Sequence, residues 1–171
     1  LSFGSVSHNT PFDNSKANVV AEYLENGGKV YIDGCEALGF NQADNDYLLN
    51  LLGIASTEDG VGSATPILQL DGQNGALTET MCFMGTNQQD LTWIDKYTAN
   101  ENGIIAFEES DYGVVAIQNT GNYNQKSFSF SYSLAELVDR EMPNTRMNLA
   151  FQIFDFFDIE LPADYIIMDF T

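Results

Sequence analysis

"NGGKVYIDGCEALGF", residues 26–40, decides how the fold is read. Two glycines break the chain, and "KVYID" then supplies the apolar, β-branched run of a buried strand. Asp33-Gly34 ends that run, with a cysteine and an acidic residue at once behind it. Upstream, "FDNSKANVVAEYLENGG" predicts a helix with both ends signed. Asp13, Asn14 or Ser15 caps it, Val19, Val20, Tyr23 and Leu24 form its apolar face, and Gly27-Gly28 closes it in the left-handed conformation. A helix running directly into a buried strand is one half of a βαβ unit, so the segment predicts an α/β layered domain.

The rest of the chain is read outward from that unit. "NQADNDYLLNLLGI" predicts a short helix carrying four leucines and stopped by Gly53. Residues 55–65 read as a polar, glycine-bearing loop, and residues 66–85 as one or two strands about a glycine-rich turn. "GIIAFEES" and "YGVVAIQNTGNYNQKSFSFSY" supply three more strands, with turns at 111–113 and around Gly121. "PNTRMNLAFQIFDFFDI" places Met147, Ala150, Phe151, Phe154 and Phe157 at helical spacing behind Pro143. Residues 159–171 read as a terminal strand or a linker.

Twenty-five acidic residues against six basic ones give a formal net charge of −19. A polyanion would be repelled, and no Lys/Arg patch exists to release its counterions, so nucleic acid is excluded as a partner. Anionic membrane surfaces are excluded on the same ground, and no run approaches the ~20 apolar residues of a membrane span. The chain opens at Leu1 without an initiator Met or a signal peptide, and reads as a piece of a longer protein. Abundant Asn, Asp, Gly and Tyr with scarce Lys and Arg suit a secreted or cell-surface setting. Two cysteines, Cys35 and Cys82, permit one disulfide and no zinc site of the usual kind.

Several segments together resemble a known family. "NGGKVYIDG" followed by "LLNLLGI" is similar to a segment of class I glutamine amidotransferase-like domains, which are flavodoxin-like α/β modules. The string from Ile94 to Phe157 resembles the second half of versions embedded in large secreted multidomain bacterial proteins, through Phe128, Phe130, Pro143, Thr145 and Arg146. The resemblance covers most of residues 15–158. It implies a single three-layer domain over residues 1–171, with a mostly parallel sheet and a late antiparallel hairpin. Only "LSFGSV" precedes the loop before the first helix, so the family's first β-α unit is expected to be missing from this chain.

The family's enzymes place a cysteine at the strand tip, which is where Cys35 stands. They also use a histidine after the last strands, whereas the one histidine here, His8, lies upstream. Asp33 and Glu36 flank the sulfur and would raise its pKa, and no cation is close in sequence to lower it. Cys35 is therefore expected to hold a nucleophile's position without acting as one, either buried or bridged to Cys82. Arg146 is expected to pair with Asp139, Glu141 or Asp155. Calcium is the one ion the loops suggest, through Asp44 and Asp46 in "NQADNDY" and Asp59 in "STEDG", although neither stretch has EF-hand spacing. Trp93, Tyr97, Tyr112 and Tyr123 fall in or near loops and suggest a platform for a sugar or peptide.

The sequence thus predicts a non-catalytic structural or adhesive module, docking other domains or chains of the same secreted protein. Two alternatives stay open. One is a cysteine hydrolase or amidase using Cys35 with His8 and Glu36, and the other a calcium-stabilised carbohydrate-binding domain.

Overall fold

The computed structural model describes residues 1–3, 13–39, 45–60, 69–85 and 93–161. Helix α1 (Asn14–Glu25) begins where Asp13 accepts the Lys16 amide at 3.0 Å, and ends on Gly27 at φ +77°. Its buried face is Ala17, Ala21 and Leu24, with Val20 partly buried beside them; of the predicted face, Val19 and Tyr23 point outward instead. The two alanines let the helix axis approach the sheet, and the larger residues remain outside. Strand β1 (Lys29–Asp33) follows directly.

Helix α2 (Asp46–Leu51), capped by Asn45, turns at Gly53 into β2 (Ile54–Glu58). The chain continues through β3 (Leu70–Gly72), β4 (Cys82–Gly85), β5 (Lys96–Ala99), β6 (Gly103–Glu109), β7 (Gly113–Thr120) and β8 (Lys126–Phe130). A two-residue strand, β9 (Leu137–Val138), then precedes α3 (Arg146–Phe156), which Thr145 caps through the Asn148 amide. Apart from Ile54, β2 lies within residues 55–65, predicted as loop. Only Ile54 among its residues is buried, so no alternating apolar signal marks it.

Seven strands form one mixed sheet in the order β1-β8-β7-β6-β3-β4-β9, and β2 pairs with β5 in a second, two-stranded sheet. Within the large sheet β1 and β8 run parallel, and residues 1–3 add a parallel bridge, Ser2 to Asp33, on the free side of β1. Every other pairing of the large sheet is antiparallel. The expected three-layer, flavodoxin-like α/β domain with a mostly parallel sheet is not what forms: strands dominate, nine against three α-helices among the described residues. The reason is connection length. Residues 110–112 join β6 to β7 and residues 121–125 join β7 to β8, whereas a parallel crossover needs roughly a dozen residues or more. Antiparallel pairing is therefore the rule of this sheet, not a late exception. The expectation of a missing first β-α unit rested on the flavodoxin-like reading and goes with it.

The apolar side chains gather in two clusters, one on α1 and α2, the other on α3. β8, "KSFSF", separates them by strict alternation: Phe128 and Phe130 enter the α3 cluster, while the Ser127 hydroxyl donates to the Leu52 carbonyl in the other cluster. Phe107, Phe130 and Tyr132 stack in a tilted series through the α3 cluster. From α3 itself, Leu149, Ile153 and Phe157 are buried, at i, i+4 and i+8. Met147 and Phe154 of the predicted stripe are exposed. Apolar residues occur almost all round this helix, so spacing alone left its buried side undetermined. Residues 162–171, most of the predicted terminal strand or linker, lie outside the described residues.

Candidate functional site

The predicted elbow forms at the C-terminal tip of β1. Gly34 takes φ +138°, donates its amide to the Phe130 carbonyl at 3.1 Å, and turns the chain so that Cys35 and Glu36 fold back under the strand end. Cys35 is fully buried, and its carbonyl accepts the Asp95 amide at 3.0 Å. Asp95, just before β5, returns the contact: one carboxylate oxygen accepts the Leu38 amide at 3.1 Å and the Gly39 amide at 2.7 Å. Gly39 is required there, because a Cβ would stand 2.2 Å from the other Asp95 oxygen. Asp33 holds the opposite side, accepting the Tyr31 hydroxyl at 3.2 Å and the Leu134 amide at 3.1 Å through one oxygen.

Three carboxyl groups, Asp95, Glu136 and Glu36, therefore act on one buried thiol. Burial pushes the Cys35 thiol up to about 12, and Asp95, Glu136 and Glu36 push the same way. Burial raises the Asp95 carboxyl to about 7 against the lowering effect of its two backbone amides, with Asp59 and Glu36 adding to the rise. Glu36 is likewise raised to about 7, by burial and then by Asp59. A nucleophilic thiol needs the reverse, a neighbouring cation or base that stabilises the thiolate. Cys35 stands at the tip of β1 as a buried, protonated thiol. It is not bridged to Cys82, since both cysteines are free.

The other predicted positions scatter. His8 and Asp44 lie outside the described residues. Asp46 is exposed in the first turn of α2, where its charge favours the helix N-terminus, and Asp59 is exposed just after β2. Among the described residues, no group of three or more His, Cys, Asp or Glu side chains is arranged to hold a metal ion. Arg146 meets Asp139 in a two-nitrogen contact at 2.9 and 3.1 Å, the first of its three expected partners. The aromatic platform does not assemble: Tyr97 is buried, and Tyr112 is half-buried with its hydroxyl donating to the Ile94 carbonyl. Tyr123 lies beyond the other end of β7. Asp95 was missed, because the residues it secures lie 57 and 56 positions away in sequence.

A second concavity, of about 140 Å³, opens at the opposite end of the sheet, where β7 ends and β8 begins. Tyr47, Asn50, Asn102, Asn119, Tyr123 and Gln125 line it. No sequence motif marks it, since its residues come from three separate segments.

No family model and no curated protein matches this chain. Solved structures do. The β-galactosidase of Bacillus circulans sp. alkalophilus superposes with a TM-score of 0.53 at 12% identity, over 88% of this chain and 22% of that one. The cold-adapted β-galactosidase of Rahnella sp. R3 gives 0.52 at 9% identity, over 90% of this chain and 23% of that one. The N-terminal domain of mmIFT52 gives 0.52 at 10% identity, over 90% and 75%. The chain thus spans under a quarter of the β-galactosidases it resembles. At these identities the likeness concerns the fold alone. The resemblance to amidotransferase-like, flavodoxin-like domains does not stand, because the sheet is mixed and predominantly antiparallel and its structural neighbours are β-galactosidase and IFT52 domains. What this chain shares with known proteins is a fold that recurs as one part of larger molecules.

Proposed function

We propose that this chain is a non-catalytic accessory domain that docks against neighbouring domains or chains of a larger, extracellular protein. The observation that carries the reading is the state of Cys35: buried, protonated and flanked by carboxyl groups, so that the thiol at the tip of β1 is not activated. The likeness to segments covering 22–23% of two β-galactosidase chains supports a part-of-a-whole role. A contact surface is available at the β9 edge of the sheet. Met84 and Val138 pair across β4 and β9, and both are exposed, as are Met142 and Met147 between β9 and the first turn of α3. Methionines suit a surface that must fit a partner, because their side chains are unbranched and polarizable.

Two measurements test the reading separately. Native protein treated with iodoacetamide across the alkaline range leaves Cys35 unmodified until the chain is unfolded; rapid alkylation with an apparent pKa below ~8.5 would make it an enzyme nucleophile. In the full-length protein, a photoreactive methionine analogue at Met84 and Met147 crosslinks to another domain or chain. Crosslinking to solvent alone would end the docking assignment.

A further inference from the structure

The concavity at the far end of the sheet differs chemically from one beside α3, which Asp155, Asp158 and Glu160 line. In a protein of net charge −19, no Asp, Glu, Lys or Arg lines it. Its walls are two tyrosines and five carboxamides, with Leu51 and Gly121 between them. Tyr47 and Tyr123 are each 51% exposed, so their rings are available to a ligand. The Tyr47 ring is held at the rim by its hydroxyl, which donates to the Glu25 carboxylate. At the floor, Asn119 is only 2% exposed, and its amide nitrogen donates to the Leu51 carbonyl at 2.9 Å. That bond fixes the orientation of the carboxamide and leaves Oδ1, buried, without a hydrogen-bond partner. Such an acceptor is costly to leave unmet. Beside it, the Gln125 carboxamide accepts the Tyr123 amide at 2.8 Å and packs over Gly121, where a Cβ would come within 1.9 Å of Nε2. A glycine here keeps open the space the amide occupies.

We propose that this cleft binds a neutral sugar, with one ring face against Tyr47 or Tyr123 and its hydroxyls held by Asn102 and Gln125 above the floor that Asn119 forms. A sugar hydroxyl donates and accepts at once, which suits a lining of carboxamides that each carry an acceptor oxygen beside a donor nitrogen. The C–H face of a pyranose suits the exposed ring of a tyrosine, which supplies apolar area beside a polar edge. Anionic ligands are disfavoured by the net charge and by the absence of a lining cation. A peptide would want an apolar pocket or a strand edge, and this lining offers neither. A cleft of about 140 Å³ takes a single ring rather than a long chain. The site lies at the opposite end of β8 from Cys35, so the inference is independent of the thiol's state.

The test is a titration followed by side-chain amide NMR, using glucose, galactose, mannose, N-acetylglucosamine and lactose each up to ~50 mM, which reaches weak affinities. At least one sugar should give saturable shifts of the Asn119, Asn102 and Gln125 side-chain amides. Tyr123→Ala should weaken that binding about tenfold, the worth of one aromatic face, with an unchanged melting temperature. Asn102→Ala, at an exposed position, should weaken it as well and covers the case in which the tyrosine variant fails to fold. No saturable shift with any sugar overturns the proposal. So does binding that neither variant weakens, which would put the sugar elsewhere.

Discussion

Replacing Asp95 by asparagine should stabilise the protein in alkaline solution and flatten its pH dependence. Asp95 is fully buried, yet its carboxyl must ionise in the folded state only near pH 7, against 3.8 for the ordinary group. A carboxyl whose folded pKa is raised contributes stability that is complete below the unfolded value and is lost as pH rises through the folded one. The gap of about 3 units, at about 1.4 kcal/mol each, corresponds to a total loss of about 4 kcal/mol from acid to alkaline solution. Between about pH 5.5 and pH 8.5 the linkage relation leaves about 2 kcal/mol of that loss still to come. Glu36, raised to about 7, acts in the same direction and is coupled to Asp95, so the two losses do not simply add. Asp13, Asp139 and Asp158 are shifted down, so their contributions disappear only below their ordinary value of 3.8, outside this window.

Asparagine keeps an oxygen for the Leu38 and Gly39 amides and removes the charge. Urea unfolding of parent and Asp95→Asn at the two pH values isolates the effect, because self-repulsion among the surface carboxylates is nearly common to both. The difference in unfolding free energy should move by about 2 kcal/mol in the variant's favour as pH rises over that range. A parent that gains stability with pH, or a variant whose pH dependence matches the parent's, would show that Asp95 is ionised throughout and would remove the account of the elbow given above.

Three further outcomes follow from single contacts. Gly72→Ala should cost about 3 kcal/mol in thermal or urea unfolding, because its Cβ would stand 1.7 Å from the Thr78 carbonyl oxygen and backbone cannot yield as a flexible side chain would. Ser129→Ala should be neutral or stabilising by up to about 1 kcal/mol, since the Ser129 hydroxyl is buried on β8 without a partner and its removal relieves a desolvated group. Asp139→Ala should cost no more than about 1 kcal/mol at neutral pH, because its pair with Arg146 is exposed and screened. The Arg146 contacts hold the Asp139 carboxyl below its ordinary range, so the loss should vanish as pH falls below 3.8, which a urea series in acid would register.

What the sequence made legible was local, and what it concealed was pairing. Asp13 caps α1 through a contact three residues long and Gly27 closes it within one turn, so both ends are written in short windows; Asn45 and Thr145 cap their helices at the same range but went unread. The Ser/Phe alternation of "KSFSF" is likewise a property of five consecutive residues. Strand direction is not local. The helix-to-strand unit over residues 14–33 is compatible with a parallel or a mixed sheet, and the resemblance to a parallel fold tipped the reading. The short connections at 110–112 and 121–125 carried the contrary information, because no crossover fits in them. β2 escaped notice because a strand whose residues are mostly exposed leaves no periodic trace.

The same distinction separates the two ends of the sheet. "DGCEALG" advertised a site and is, chemically, a buried acid cluster, because Asp95 and Glu136 arrive from residues far along the chain and raise the thiol. The cleft at the other end advertised nothing. Asn and Gln are unremarkable in loops, and only the pairing of β7 with β6 and β8 brings positions 102, 119 and 125 beside α2. A reactive residue type in a motif draws attention because its chemistry is intrinsic, yet its environment can cancel that chemistry. A set of carboxamides has no chemistry of its own until the fold gathers it beside two exposed rings. For this chain two exposed rings beside a carboxamide-lined cleft are therefore a stronger pointer to binding than the cysteine at the strand tip.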